Sequence, residues 1–231
     1  MDDNRIYRYE THMHTFPVSR CAKKNVYDSI LYYKELGYTG VFITNHFIDG
    51  NINIDTSLPY EEVIDFYFSD YEEGVRIGKE LDISVFCGVE LSYHGTDFLV
   101  YGLDKAWFLA HPEIAEMTKK EQLSLFMSEG ALVIQAHPYR EAAYIDHIRL
   151  FPRHVHGVEI YNGGCKELEN KMAQIYAESY SLLTVAGSDN HGTNKKVLYG
   201  IETDTPIENE RDYVQRVLNQ QTRCFTLNNE Y

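Results

Sequence analysis

Seven or so short apolar runs, separated by amphipathic stretches, divide this chain, and nearly every run ends in or leads into a residue type that binds metals. Strand-like runs fall at residues 6–11, 40–44, 83–89, 98–101, 131–135, 157–160 and 182–186, with a weaker pair at 198–202 and 224–226. Helical patterns lie between them. Residues 26–36 stop before Gly37, a natural left-handed terminator. Residues 60–81 follow the start signals Ser57 and Pro59 and carry Ile64, Tyr67, Phe68, Tyr71 and Val75 at helical spacing. Residues 119–129 stop at Gly130, while 166–180 and 208–219 each carry one apolar stripe, read as core. Parallel strands need crossover connections, so this α/β alternation predicts a mostly parallel sheet covered by helices. Such units over 231 residues suit a closed barrel better than a small open sheet. No Pro/Ser-rich linker interrupts them, so residues 1–231 read as a single domain.

In a barrel of this kind the active site forms where the C-terminal strand ends meet, and those ends carry the ligand types. The first run leads into His12-Met13-His14. Alternation sends residues i and i+2 of an extended segment to one face, so both imidazoles point at one ion. Later runs end at Asn45-His46, Gly88-Val89-Glu90, Ala136-His137-Pro138 and Ser188-Asp189-Asn190-His191. Divalent transition metals take imidazole nitrogen and carboxylate oxygen, and multinuclear hydrolytic sites combine several histidines with a bridging acid. The metal candidates are therefore His12, His14, His46, Glu90, His137, Asp189 and His191. A carboxylate directly after the apolar run that precedes Glu90 is costly to bury unpaired, and a cation is the economical partner. Pro138 ends its strand and stiffens the turn. Asp189 and His191 form a second i/i+2 pair in a glycine-flanked turn that can approach a site closely. His94 is a weaker candidate, and His111, His147, His154 and His156 are not expected to bind. Glu159 and Asn162 are expected to orient ligands through hydrogen bonds.

Charge bears on the partner. With 21 basic against 35 acidic residues the net charge is −14, and such a surface repels a polyanion, which argues against nucleic acid. The four cysteines (Cys21, Cys87, Cys165, Cys224) lack C-x-x-C spacing, which offers no thiolate zinc site or redox motif. The opening Met-Asp-Asp-Asn-Arg-Ile-Tyr holds no apolar signal run, and no stretch reaches the roughly 20 apolar residues of a membrane span. The expectation is a cytoplasmic protein with no membrane partner. Nineteen tyrosines suit core filling, a stacking pocket or an oligomer surface equally well, so the oligomeric state stays open.

Taken in order, H-x-H, N-H, G-V-E, A-H-P and S-D-x-H resemble the PHP (polymerase and histidinol phosphatase) superfamily, from His12 to His191. The resemblance implies a distorted seven-stranded (β/α) TIM-like barrel. It also implies two or three divalent metal ions (Zn, Mn or Fe) serving phosphoester hydrolysis. His12, His14, Glu90 and Asp189 would hold one ion, Glu90 would bridge to a second held also by His137, and His46 and His191 would hold a third. Two departures stand out. Many members provide a His or Asp shortly after H-x-H, whereas Phe16-Pro17-Val18-Ser19-Arg20-Cys21 offers neither, implying a third ion weakly held or absent. Where many have a His after the bridging Glu, this chain has Asp97, and either Asp97 or His94 takes its place. Asn45 also stands where Asp often precedes the second-motif His.

The expected reaction is hydrolysis of a small phosphorylated substrate, most simply a phosphomonoester, by attack of metal-bound hydroxide. Arg140, and Arg20 with Lys23 and Lys24 behind it, are expected to grip the phosphate. Asp189 or His191 is expected to protonate the leaving oxygen. The loop at 47–58 is expected to cover the site. Two rivals remain: an amidohydrolase acting on a C–N bond, which usually wants a bridging lysine where Glu90 stands, and a non-catalytic metal-binding domain.

Overall fold

The computed structural model describes residues 5–229; the first four residues of the opening segment discussed above lie outside them. One sheet runs through the chain. Its strands are β1 (Tyr7–Met13), β2 (Gly40–Ile43), β3 (Ser84–Tyr93), β4 (Thr96–Tyr101), β5 (Leu132–Ala136), β6 (Gly157–Asn162), β7 (Leu183–Gly187), β8 (Val197–Thr203) and β9 (Arg223–Asn228). The helices are α1 (Val26–Glu35), α2 (Tyr60–Leu81), α3 (Lys105–Ala110), α4 (Lys119–Ser128), α5 (Glu167–Tyr180) and α6 (Glu210–Leu218). Local chemistry sets their ends. Asn25 caps α1 by accepting from Asp28 N, and Thr118 and Glu121 form a reciprocal capping box on α4. α2 covers the span its periodicity predicts and stops at Asp82, whose φ of 53° is left-handed. α3 was not foreseen, because six residues are too few to display a period.

The strand order is β7-β6-β5-β4-β3-β2-β1-β8-β9, which makes nine strands where seven were expected. The expected mostly parallel sheet is also corrected. β1/β2, β2/β3, β5/β6 and β6/β7 are parallel, but β3/β4, β4/β5, β1/β8 and β8/β9 are antiparallel. The turn Tyr93-His94-Gly95-Thr96 is too short for a crossover, so β4 doubles back on β3 as a hairpin. β4 therefore begins at the end of the barrel where its parallel neighbours finish.

Closure takes place along β1. The start of β1, from Tyr7 to Tyr9, pairs with β8. Its end meets the segment after β7, with Met13 bridged to Asn190 and His14 N donating to Asn190 O at 2.9 Å. The sheet is thus a nearly closed barrel, with β8 and β9 extending it past the seam.

Aromatic rings fill the barrel's lower half. Phe42 stacks on Phe86 at 4.8 Å between centroids and meets Tyr213 of α6 at 4.5 Å, while Tyr101 lies against Tyr213 at 5.0 Å. Its strand neighbours Val41 and Ile43 point the other way, into Val26, Ile30 and Tyr33 of α1. Each such large side chain contributes about 1.5–3 kcal/mol on burial. Seven tyrosines, at 9, 33, 38, 67, 101, 176 and 213, are buried, so much of the tyrosine content is core. No helix among the described residues is long and apolar enough to cross a membrane.

Candidate metal centre

A β-bulge delivers the first two histidines. Glu10 pairs with Val41 and Met13 with Ile43, so β1 spends one residue more than β2 over the same span. The bulge turns Glu10 toward α1 and leaves His12 and His14 facing inward. Their Nε2 atoms end 3.2 Å apart, both rings buried. Around them gather the other candidates. Glu90 of β3 lies 3.0 Å from His12, 3.3 Å from His14, 2.7 Å from His46 and 3.3 Å from His137. Asp189 comes within 3.5 Å of His12 and 3.3 Å of His14, and His191 Nδ1 within 3.5 Å of Asp189. All seven sequence-predicted ligand residues are thus brought together. Asp97 joins them because β4 starts at this mouth, and its carboxylate stands 3.7 Å from His137. His94 sits exposed on the hairpin tip instead, so of the two it is Asp97 that lines the centre.

Charge is concentrated here. Burial opposes ionisation of Glu90, yet His12, His46 and His14 hold its carboxyl well below the usual range. Burial likewise opposes the charge on Asp189, and Arg140 and His12 overcome it. Burial and the neighbouring Glu90 push Asp97 up. His12 stands well above the ordinary imidazole value, since Glu159, Asp189 and Glu90 outweigh its burial, whereas burial and the adjacent His191 and His46 drive His14 well below. The backbone is strained at two of the groups, His137 at φ 27° and Asp189 at φ 48°. Such conformations cost about 1–3 kcal/mol each and persist where the surroundings enforce them.

The donor set fits divalent cations. Glu90 Oε2 and His46 Nδ1 are buried and face each other at 2.7 Å, yet neither makes a hydrogen bond. Ligand atoms of His12, His14 and Glu90, of His12, His137 and Asp189, of Glu90, Asp97 and His137, and of His14, His46 and His191 each lie within 4.8 Å of one another. Imidazole and carboxylate in this mixture suit divalent transition metals.

Supporting groups hold the rings. Glu159 accepts from His12 Nδ1 at 3.0 Å, from His137 N at 3.1 Å and from Asn162 Nδ2 at 2.7 Å. That is the orienting role its strand position suggested. Gly187 leaves room for this contact, because a Cβ there would meet His12 Cβ at 2.5 Å. Asn45 accepts from Thr15 N and from Ser19 Oγ, and Ser19 in turn contacts His14 Nδ1 at 3.0 Å. Beneath Asn45 lies Asp70, which sequence reasoning missed although it occupies the apolar stripe of α2. Its Oδ2 accepts from Thr15 Oγ1 at 2.6 Å, Asn45 Nδ2 at 3.2 Å and Val18 N at 3.4 Å. Asp70→Ala strands these buried donors and is expected to cost about 3 kcal/mol in a urea titration. A loss under about 1 kcal/mol would mean that the donors find other partners.

The predicted phosphate grips fare unevenly. Arg140 Nη2 pairs with Asp189 and donates to Asn162 Oδ1 at 3.2 Å. A cavity of about 250 Å³ opens beside it, lined by Lys23, Arg140, Asp189, His191 and the unforeseen Lys195. Arg20 is not in that lining; its side chain is exposed while its N–H donates to Asn51 O. Lys24 pairs with Asp28 at 3.4 Å on α1 instead. Residues 47–58 are tied down instead of forming a free cover: Asp49 accepts from Ser92 N and pairs with Lys119, and Asn53 N donates to Val18 O. Cys21 sits at the rim beside the His191 and His46 rings. Against the effect of burial these rings bring its thiol down to about 6. His111, by contrast, stacks on Trp107, and His156 accepts from Val133 N. A larger cavity of about 620 Å³ opens where β2 and β3 begin, but its lining includes no histidine, so the ligating groups and not the size mark the functional end.

No family model matches the chain. An uncharacterized protein of Methanocaldococcus jannaschii, MJ0417, is 32% identical over 112 residues, which are 45% of this chain and 45% of that protein. The match therefore spans less than half the length of this curated relative. A two-domain protein from Bacteroides vulgatus, described as containing a predicted PHP-like metal-dependent phosphoesterase, superposes with a TM-score of 0.67 at 13% identity, over 97% of this chain and 66% of that one. An amidohydrolase from Chromobacterium violaceum, solved with bound sulfate and no metal, gives a TM-score of 0.57 at 14% identity, over 93% of this chain and 97% of that one. At these identities the likeness is one of architecture, and it extends over nearly the whole chain: this protein shares the fold of these structures, the PHP-like one among them.

Proposed function

We propose that this chain is a metal-dependent phosphoesterase acting on a small phosphomonoester. The observation that carries the reading is the convergence of four imidazoles on the buried Glu90 carboxylate, with a cationic cavity opening beside them. Divalent ions clustered in such a site acidify water toward neutrality and offset charge on phosphoryl oxygens. His12, His14, Glu90 and Asp189 would hold one ion, Glu90, Asp97 and His137 a second, and His46 with His191 a third.

The chain's own residues do the rest. Arg140 presents a planar fork to the phosphate, while Lys23 and Lys195 add positive charge along the cavity wall. Three cations in one small cavity of a chain whose net charge is −14 focus an anionic ester there and leave a long polyanion unfavoured elsewhere. Asp189, at the cavity's inner edge, would move a proton at the leaving oxygen, and His191 would share that part only where the third ion is not loaded. Glu90 replaces the bridging lysine that C–N hydrolysis usually wants, which places amidohydrolase chemistry second.

His137→Ala tests the reading. With metal supplied, the variant is expected to turn over p-nitrophenyl phosphate at least about 100-fold more slowly than wild type, the upper range for losing even a ligand's supporting partner. Equal rates would remove His137 from the chemistry. Ammonia release from an amide panel with no phosphate release would transfer the site to the amidohydrolase reading.

A further inference from the structure

The apolar stripe expected to be core in residues 166–180 is corrected by α5: of Leu168, Met172, Ile175 and Tyr176, Tyr176 alone is buried. Polar anchoring decides which face turns inward. Asn170 Oδ1 accepts from Asn162 N at 3.0 Å, and Asn170 Nδ2 donates to Asn162 O at 3.2 Å. With these bonds in place, Ala173, Tyr176 and Ala177 are the residues buried, the last two packed on Val158 of β6. Leu168, Met172 and Ile175 are left 69%, 36% and 46% exposed. Their spacing of i, i+4 and i+7 sets them in one row along the helix. Apolar residues exposed singly are ordinary, whereas a contiguous row marks a contact surface. Charge borders this row on one side. Lys171 and Glu178, two helical turns apart on that flank, are exposed, and neither belongs to an ion pair among the described residues.

We infer that this face binds a second copy of the chain, with the two α5 helices antiparallel about a twofold axis. Leu168, Met172 and Ile175 fall at d, a and d of a heptad, which puts Lys171 and Glu178 at g. In an antiparallel pair each flank meets the same flank of its neighbour. Layering Met172 on the partner's Ile175 therefore brings Lys171 to the partner's Glu178, and the twofold axis repeats both contacts. A parallel pair would set these charges against the e positions instead, which are Glu169 and Tyr176, both buried on the chain's own side. The row is thus complementary to itself in charge as well as apolar character, and another copy supplies both by symmetry. One helix face is smaller than the roughly 800 Å² per partner of a standard interface, so the dimer is a reversible one. The inference is independent of the metal-dependent reading.

Sedimentation velocity on the full chain tests this between about 1 and 200 μM, a span that covers micromolar dissociation constants. Wild type is expected to move from 26.8 kDa toward twice that mass as concentration rises. I175E changes an exposed position and sets a charge in the seam, which should weaken dimerisation at least about 100-fold. K171E and E178K each place like charges opposite one another and should weaken it at least about tenfold. The double swap K171E/E178K restores opposite charges and should return within about threefold of wild type. Y144S, which alters an exposed ring outside α5, should leave the dimer unchanged. Wild type that stays monomeric throughout would overturn the inference. So would a dimer that I175E leaves intact, or a double swap as weak as either single variant.

Discussion

Glu90→Gln is expected to lose at least about 10³-fold in kcat/KM on p-nitrophenyl phosphate, together with most of its bound metal. Partners that merely orient a ligand already cost about 10- to 100-fold when removed. Glu90 does more, because its two oxygens stand between His12, His14, His46 and His137, at 2.7 to 3.3 Å. Glutamine preserves the shape of the side chain but brings a neutral amide whose NH2 faces imidazole nitrogens, and it removes the charge that offsets clustered cations. The loss corresponds to about 4 kcal/mol of transition-state stabilisation. An unchanged far-ultraviolet circular dichroism spectrum would show that the fold survives. Activity within tenfold of wild type, or an undiminished metal content, contradicts the assignment of Glu90 as the shared ligand.

Glu10→Gln should make the metal-free protein more stable at neutral and alkaline pH, by on the order of 3 kcal/mol. Glu10 is the clasp of the barrel seam. The bulge in β1 and the gap beside β7 leave two amides without ladder partners, and Glu10 Oε1 accepts both, His12 N at 2.8 Å and Ser188 N at 2.9 Å. Burial raises this carboxyl to about 7, against the pull of those hydrogen bonds. In the fold it therefore keeps its proton up to about pH 7, while the unfolded chain gives it up near about pH 4.3. Between those values the native state binds more protons than the unfolded one, so wild-type stability is full below about pH 4.3 and falls as pH rises toward 7. Glutamine retains the accepting oxygen and carries no charge. Urea unfolding at about pH 4 and about pH 8 should thus show no difference at the lower value and the full gain at the higher. A difference independent of pH would contradict the account of Glu10.

The ends of the parallel strands were legible because each is a short apolar run closed by one ligand type. His46, Glu90, His137 and Asp189 are placed by that pattern alone, and His12 and His14 by spacing. What escaped depends on departures from regularity. Strict alternation puts Glu10 on the face of His12 and His14, but one extra residue in β1 turns it to the opposite side. A short apolar run has no direction, so the reversal of β4, and with it the choice of Asp97 over His94, was hidden until the hairpin was seen. Lys195 lines the cavity through a loop with no periodicity to read. Arg20 is near the H-x-H turn in sequence, but the loop's fastening to Asn51 turns it outward. Asp70 left a legible trace, a carboxylate on an otherwise apolar helix stripe.

The central claim is that residues remote in sequence meet at one barrel mouth to hold cations about Glu90. Anomalous diffraction from crystals of protein purified without chelator tests it most directly. The expected maps show a pair of ions flanking the Glu90 carboxylate, one near His12, His14 and Asp189, the other near His137 and Asp97. Maps with no anomalous peak beside Glu90, from protein supplied with zinc, manganese and iron, would contradict it.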